Sequence, residues 1–167
     1  LASLPEGFGE KWTNLKIITL EYNNLTSLPE GFGEKWTHLT QIELTGNNLA
    51  SLPETFGEKW TDLRRISLAY NDELTSLPKT FGNSWTNLTD IDLRKNKLTS
   101  LPDKFTSLPD RFGNAWSQLE YIELAGNKLT SLPETFGDTW TNLITVNLEN
   151  NDLNCLPETF GDSWTHL

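Results

Sequence analysis

The sequence contains no methionine and a single cysteine, Cys155. One cysteine excludes an internal disulfide framework. The chain therefore differs from secreted repeat proteins whose ends are closed by disulfide bonds, which favours an intracellular location. Long apolar runs are also missing, because no stretch approaches the roughly 20 apolar residues that cross a bilayer as a helix. We therefore expect no membrane insertion.

Basic residues are scarce relative to acidic ones. Lysine and arginine total 13, against 23 aspartate and glutamate residues, which gives a formal net charge of -10. Nonspecific nucleic-acid binding depends on cations that neutralise phosphates, and docking on an anionic lipid surface needs clusters of them. The charge balance therefore argues against both kinds of partner.

Internal repetition is what the chain has in abundance. The pair Leu-Pro returns at a basic step of 24 residues, at Leu4, Leu28, Leu52, Leu77, Leu101, Leu108, Leu132 and Leu156. One extra residue falls near Asp72, and a seven-residue block, residues 101–107, is inserted before Leu108. Repetition at a fixed period determines the fold class. Because the chain starts inside one repeat and stops inside another, we expect it to be a piece of a longer polypeptide.

Each unit has two halves with different patterns. The first reads L-x-x-I-x-L-x-x-N-x-L, as in residues 39–49, and its alternating apolar and polar residues predict a short strand with one buried face. The second reads T-S-L-P-E-x-F-G-x-x-W-T, and residues 27–30 match a capping box, which predicts a short helical turn. Units joined in this way place successive strands parallel, with the second half as the crossover.

The first-half pattern occurs six times, and it resembles the defining segment of the leucine-rich repeat (LRR) family. The resemblance implies an α/β fold: a right-handed LRR solenoid with a parallel β-sheet on its concave face and short helical or 3-10 segments on its convex face. We expect residues 1–167 to form a single domain of about six full repeats, with partial repeats at both ends. The family's habit also implies noncatalytic recognition of a protein or peptide through the concave face.

Two residue columns are interpreted as structural. The asparagine that follows each strand can satisfy backbone groups that the bend leaves unpaired; these are Asn23, Asn47, Asn71, Asn96, Asn127 and Asn151. The tryptophan of each repeat, where the LRR family usually has leucine, is expected to pack with phenylalanine in a shielded spine; these are Trp12, Trp36, Trp60, Trp85, Trp116, Trp140 and Trp164.

The residues that vary between repeats are the candidates for function. In each strand the residues flanking the buried isoleucine and leucine point away from the core. Tyrosine and arginine are enriched at binding hot spots, and all three tyrosines of the chain fall in this outward set. The predicted binding residues are Tyr22, Glu43, Arg65, Tyr70, Asp92, Arg94, Tyr121 and Glu123. We expect Arg65 to lie beside Asp90 on the neighbouring strand. The alternative is that these positions are solvated and free to drift.

Other features of the sequence could indicate functions different from recognition. The threonine after each tryptophan forms a regular column, and the alternative reading is a surface-active or ice-interacting ladder on the convex side. A further alternative is a substrate-recognition module of a larger enzyme. His38 and His166 occupy one repeat position, and Cys155 has no activating base, so neither indicates catalysis. We expect no cofactor and no metal site. Open-ended repeats also predict possible end-to-end self-association.

Overall fold

A computed structural model of the protein describes residues 1–102 and 112–166. Six short strands form one parallel sheet in chain order. The strands are β1 (Ile17–Thr19), β2 (Gln41–Glu43), β3 (Arg65–Ser67), β4 (Asp90–Asp92), β5 (Tyr121–Glu123) and β6 (Thr145–Asn147). Each strand begins one turn of a solenoid, as the repeat pattern predicts. Most of the insertion predicted at residues 101–107 lies outside the described residues.

The strands form where the sequence alternates. The central residue of each strand points into the core: Ile18, Ile42, Ile66, Ile91 and Ile122 are at most 8% exposed, and Val146 packs against the same core. The leucines that precede and follow each strand join them, so each repeat adds one apolar layer to the next. A layer of this kind stabilises the array mainly through contact with its neighbours.

The second half of each repeat is a run of β-turns. In the repeat that follows β2, Phe56 donates to the Pro53 carbonyl at 3.0 Å, Glu58 donates to Thr55 at 3.2 Å, and Trp60 donates to Gly57 at 3.1 Å. These bonds recur at every second residue, whereas a helix would place one at every residue. Gly57 has a φ of 77°, the left-handed value that a type II turn requires at its third position.

The expectation of short helical or 3-10 segments is therefore wrong for the part of the chain that the structure describes, where the crossover contains turns and no helix. A left-handed glycine interrupts any run of helical dihedral angles. The motif read as a capping box consequently precedes a turn and caps no helix.

The tryptophans form the spine that the sequence predicts. Trp36, Trp60, Trp85, Trp116 and Trp140 are at most 1% exposed, while Trp12 is 45% exposed. Successive indole rings from Trp12 to Trp140 stack with centroids 5.9–6.4 Å apart and planes 9–17° from parallel. Each indole N–H after the first donates to the glycine carbonyl of the preceding repeat at 2.9–3.1 Å, as Trp60 does to Gly33.

The asparagine column has the structural role inferred from the sequence. Asn47 donates from Nδ2 to the Leu44 carbonyl of its own repeat at 3.0 Å and to the Leu20 carbonyl of the preceding repeat at 2.9 Å. Its Oδ1 accepts from the Leu25 backbone N–H at 3.1 Å. One side chain thus satisfies three backbone groups that the bend after the strand leaves unpaired, and it joins two repeats in doing so.

Candidate functional site

The surface formed by the outward side chains of the strands, together with the second and third residues after each strand, is called the sheet face below. Register aligns its columns across repeats, so that Gln41, Arg65, Asp90 and Tyr121 are neighbours in one column and Glu43, Ser67, Asp92 and Glu123 in the next. The structure therefore places five of the eight predicted binding residues within the strands: Glu43, Arg65, Asp92, Tyr121 and Glu123. Tyr22, Tyr70 and Arg94 follow β1, β3 and β4 on the same face.

The charges near β2 and β3 compensate one another. Arg65 Nε lies 2.9 Å from Glu43 Oε1, and Gln41 Nε2 donates to the same oxygen at 2.9 Å. The Glu43 side chain is only 10% exposed and the Arg65 side chain is 55% exposed. Glu43 is thus held by its neighbours, whereas much of Arg65 remains accessible to a ligand.

Arg65 lies beside Asp90 as expected, and its countercharge comes from a different residue. Register does place Arg65 opposite Asp90, but the ion pair is made with Glu43 on the other neighbouring strand. The Asp90 carboxylate instead accepts from the Thr89 hydroxyl at 2.7 Å. Glu43 is buried whereas Asp90 is only partly buried, and the more enclosed carboxylate gains more from a countercharge.

A second cluster joins β4 to the loop after β3. Arg94 Nε lies 3.2 Å from Asp92 Oδ2, and its guanidinium carbon lies 5.9 Å from the centroid of the Tyr70 ring, which is within cation–π range. Burial raises the pKa of the Asp92 carboxyl, and this outweighs the hydrogen bond and positive charge of Arg94, while the charge of Glu123 raises it further. The positive charge of Arg65 also acts to lower this pKa.

The three tyrosines are the exposed aromatic rings of the sheet face. Tyr22 is 80% exposed, Tyr70 is 48% exposed and Tyr121 is 39% exposed. Within residues 1–102 and 112–166, no hydroxyl of these tyrosines makes a hydrogen bond. Each offers a ring face and an unused donor and acceptor, which is the combination that makes tyrosine common at interfaces.

Two of these tyrosines have a backbone conformation that the sequence analysis missed. Tyr22 and Tyr70 have φ values of 50° and 56°. The equivalent residues of other repeats are also left-handed, and two of them are the glycines Gly46 and Gly126. The recurrence of glycine at this repeat position could have predicted the conformation, because left-handed dihedral angles cost other residues roughly 1–2 kcal/mol. The Tyr22 ring lies over Gly46, where an added Cβ would come within 2.7 Å of Cδ1.

Two exposed apolar residues were left out of the predicted site. Ile17 in β1 is 56% exposed and Ile144, which precedes β6, is 44% exposed. The sequence feature that could have identified them is an apolar residue at a position where alternation expects a polar one. Ile17, for example, lies directly before the buried Ile18. They add exposed apolar surface at the first and last strands of the sheet.

The residues considered for other functions lie elsewhere. His38 Nδ1 is 3.3 Å from Asp62 Oδ2 at an exposed position, and Cys155 is exposed and free. The residues of the threonine column, Thr13, Thr37, Thr61, Thr86, Ser117, Thr141 and Thr165, are all exposed. An ice-interacting ladder stays a prediction, which thermal hysteresis measurements test. In the described part of the chain, no three metal-ligating side chains cluster, and no helix is long and apolar enough to cross a membrane.

Comparison with known proteins places this geometry in a family. One leucine rich repeat model matches residues 61–112, and a second matches residues 14–34 and 118–139, so that together they cover more than half of the chain. No curated protein sequence matches. Among solved structures, a chain of the glycosylated Toll–Spatzle complex from Drosophila is 27% identical, with a TM-score of 0.82. The alignment covers 98% of the present chain and 21% of that one, so the present chain spans about a fifth of its length.

LRR solenoids generally mediate protein–protein interaction without catalysis. The matched repeats and the six-stranded parallel solenoid show that this chain belongs to the leucine-rich repeat family.

Proposed function

We propose that residues 1–167 act as one recognition domain whose sheet face, expected to be concave, binds a protein or peptide ligand without catalysis. The observation that carries the proposal is the row of exposed tyrosines whose hydroxyls are unused, with Arg94 against one of the rings. Aromatic and arginine side chains of this kind supply most of the energy at protein interfaces. The similarity to a chain from the Toll–Spatzle complex, an assembly of two proteins, supports a protein ligand.

The contact surface that we propose comprises the predicted residues Tyr22, Glu43, Arg65, Tyr70, Asp92, Arg94, Tyr121 and Glu123. Its left-handed loops, the cross-strand ion pair of Arg65 with Glu43 and the ion pair of Arg94 with Asp92 hold these side chains in place before a ligand arrives, which reduces the ordering that binding requires. The carboxylates of Asp92 and Glu123 are register partners on adjacent strands, and this pair of negative charges favours a basic side chain in the ligand. A ligand that combines an apolar or aromatic residue with a basic one fits this face.

Changing Tyr70 and Arg94 together to alanine tests the proposal. Peptides are first selected from a displayed library by the unaltered protein, and their affinities for the variant are then measured by calorimetry. Loss of two hot-spot side chains is expected to weaken binding by at least about tenfold. Alanine at residue 70 keeps the left-handed strain, so the melting temperature should change by only a few degrees.

A matched control removes one cation and one hydroxyl away from the sheet face, by changing Lys35 and Thr61 to alanine. Both residues are exposed. This control should bind the selected peptides as the unaltered protein does. If most peptides bind the Tyr70 and Arg94 variant with undiminished affinity, these residues do not form the binding surface.

We also propose that this 167-residue chain associates end to end with a second copy. Trp12 has no glycine carbonyl to donate to among the described residues, and Gly161 lacks the covering indole that Gly137 receives from Trp164. A second copy would bring Trp12 over Gly161 and repeat the contact made inside the array. An apolar depression at the end formed by the first repeat has a volume of about 400 Å³, and it is lined by Lys11, Trp12, Thr13, Asn14 and Leu15.

Sedimentation velocity over a concentration series tests the end-to-end contact. The weight-average sedimentation coefficient should rise with protein concentration, and Trp12→Lys should abolish the rise because it places a charge against the apolar end. A coefficient that stays at the monomer value up to millimolar protein would refute the contact.

A further inference from the structure

A polar depression lies at one edge of the sheet face, beside the residues that precede the first strands. Its volume is about 360 Å³, and it is lined by Lys16, His38, Thr40, Asp62, Arg64 and Asn87. Lys16 comes directly before β1, and Arg64 directly before β3. Thr40, one repeat away from each, lies between them. No residue of the predicted binding surface lines this depression.

The depression is lined by two cations in a chain of net charge -10. Lys16 and Arg64 are both exposed, and neither forms an ion pair with any residue in 1–102 or 112–166. Elsewhere on the sheet face, Arg65 and Arg94 each have a carboxylate within 3.2 Å. The depression therefore holds two positive charges, neither of which lies within ion-pair distance of a carboxylate of the described residues.

The spacing of these cations suits a group placed between them. Neighbouring strands lie roughly 4.8 Å apart, so Lys16 and Arg64 are separated by roughly 10 Å at the backbone, a gap that two long side chains can close from both sides. Thr40 lies between them and is short, and its hydroxyl donates to the Lys16 carbonyl at 2.9 Å. Thr40 therefore leaves space between the two cations, and its hydroxyl is already hydrogen-bonded.

The other lining residues leave this charge balance positive. Asp62 is the single carboxylate in the lining, and its Oδ2 lies 3.3 Å from His38 Nδ1. The Asn87 amide donates to the Thr61 carbonyl at 3.0 Å. Thr89 precedes β4 at the same edge of the sheet. Its hydroxyl is within hydrogen-bond distance of the Arg64 carbonyl and of the Asp90 carboxylate.

We propose that this depression binds a phosphate or sulfate group, with Lys16 and Arg64 as its two countercharges. A phosphate group presents three strong acceptor oxygens and can therefore bind both cations at once, whereas a carboxylate has only two oxygens. Arginine binds such a group through two parallel N–H donors, and lysine supplies a point charge from the opposite side. The volume also leaves room for the atoms that carry the group. The oxyanion is either free in solution or borne by a phosphorylated side chain of a peptide.

The test is a titration followed by the backbone amide signals of residues 16, 40 and 64 in NMR spectra at low salt. The probes are inorganic phosphate, sulfate, a short phosphoserine peptide and the same peptide without phosphate. We expect saturable shifts with the anions and none with the unmodified peptide. Tighter binding of the phosphoserine peptide than of inorganic phosphate would assign the group to a peptide, and equal affinity would assign it to the free anion.

Substitutions make the assignment specific. Changing Lys16 and Arg64 together to glutamine should weaken anion binding at least tenfold. The matched control changes Lys35 and Lys59 to glutamine; these are two exposed lysines one repeat apart and outside the depression. Its affinity for the anions should stay within about twofold of that of the unaltered protein. Asp62→Asn should strengthen binding severalfold, because it removes the single carboxylate of the lining.

Shifts that do not saturate, or an equal loss in the Lys35 and Lys59 control, would overturn the site and leave only general screening of charge. Because these probes need no ligand for the tyrosines, a negative result here would not affect the proposed recognition through Tyr70 and Arg94. A failure of that recognition would equally leave the anion titration interpretable.

Discussion

Replacing Trp60 with alanine is expected to lower the free energy of unfolding by about 4 kcal/mol. The indole is fully buried between Trp36 at 6.4 Å and Trp85 at 6.3 Å, and its edge meets the Phe56 ring at 4.8 Å. Truncation of a buried tryptophan costs about 3–5 kcal/mol, to which lost aromatic pairing contributes. The Gly33 carbonyl also loses one of its two donors and keeps the Trp36 backbone N–H at 3.0 Å, so the lost hydrogen bond adds only a modest cost.

Urea unfolding followed by far-UV circular dichroism measures this loss, and Trp12→Ala is the matched control. Trp12 is 45% exposed, stacks on one indole only and donates to no glycine of the described chain, so its loss should be about 1–2 kcal/mol. Similar losses for the two variants would contradict a spine whose strength comes from enclosure on both sides. Trp60→Phe should fall between them, because it keeps a ring and removes the N–H donor.

A central defect should also change the shape of the transition. Repeats contact only their neighbours, so a weakened middle repeat separates the array into two halves that are less strongly coupled. The Trp60→Ala transition is therefore expected to be broader than that of the unaltered protein, with a lower apparent m-value. Trp12→Ala removes contacts at one end and should leave the m-value close to that of the unaltered protein.

The fold could be predicted from the sequence wherever a periodic pattern has one physical solution. Ile42 had to be buried, because residues that alternate around it can satisfy both a strand and a core. Asn47 had to serve the backbone, since a polar amide that recurs after every strand has few other roles there. The tryptophan spine follows from the same reasoning, because one large ring per repeat stacks on its copy in the next.

The sheet face could be predicted only as a set of positions. Register placed Arg65 near Asp90, but whether its guanidinium turns to Asp90 or to Glu43 depends on the burial of each carboxylate, which no pattern specifies. The left-handed dihedral angle of Tyr70 could not be predicted from its identity, because tyrosine is rare in that conformation. The crossover turns were missed because a proline near an acidic residue is shared by helix starts and β-turns.

Gly57→Ala is expected to destabilise the protein by about 3 kcal/mol, although it adds only one methyl group. Gly57 has a φ of 77°, a value that costs other residues about 1–2 kcal/mol. An added Cβ would lie 2.5 Å from Cζ2 of Trp85, which is itself fixed between two indoles. Overpacking of a rigid core costs about 1–3 kcal/mol, and here the ring has no free side to move toward.

Gly31→Ala is the matched control for this substitution, because it makes the same chemical change two residues from the equivalent glycine of another repeat. Gly31 has no positive φ, and a Cβ built there meets nothing within 4 Å. Thr55 occupies the corresponding position in the next repeat, so a side chain is already accepted there. Gly31→Ala should therefore raise stability by about 0.4–1 kcal/mol, through a less flexible unfolded chain. Thermal and urea unfolding of both variants should show shifts of opposite sign. Equal and small shifts would mean that Trp85 can move away from residue 57, and the packing of indole on glycine would then not be what fixes the spacing between repeats.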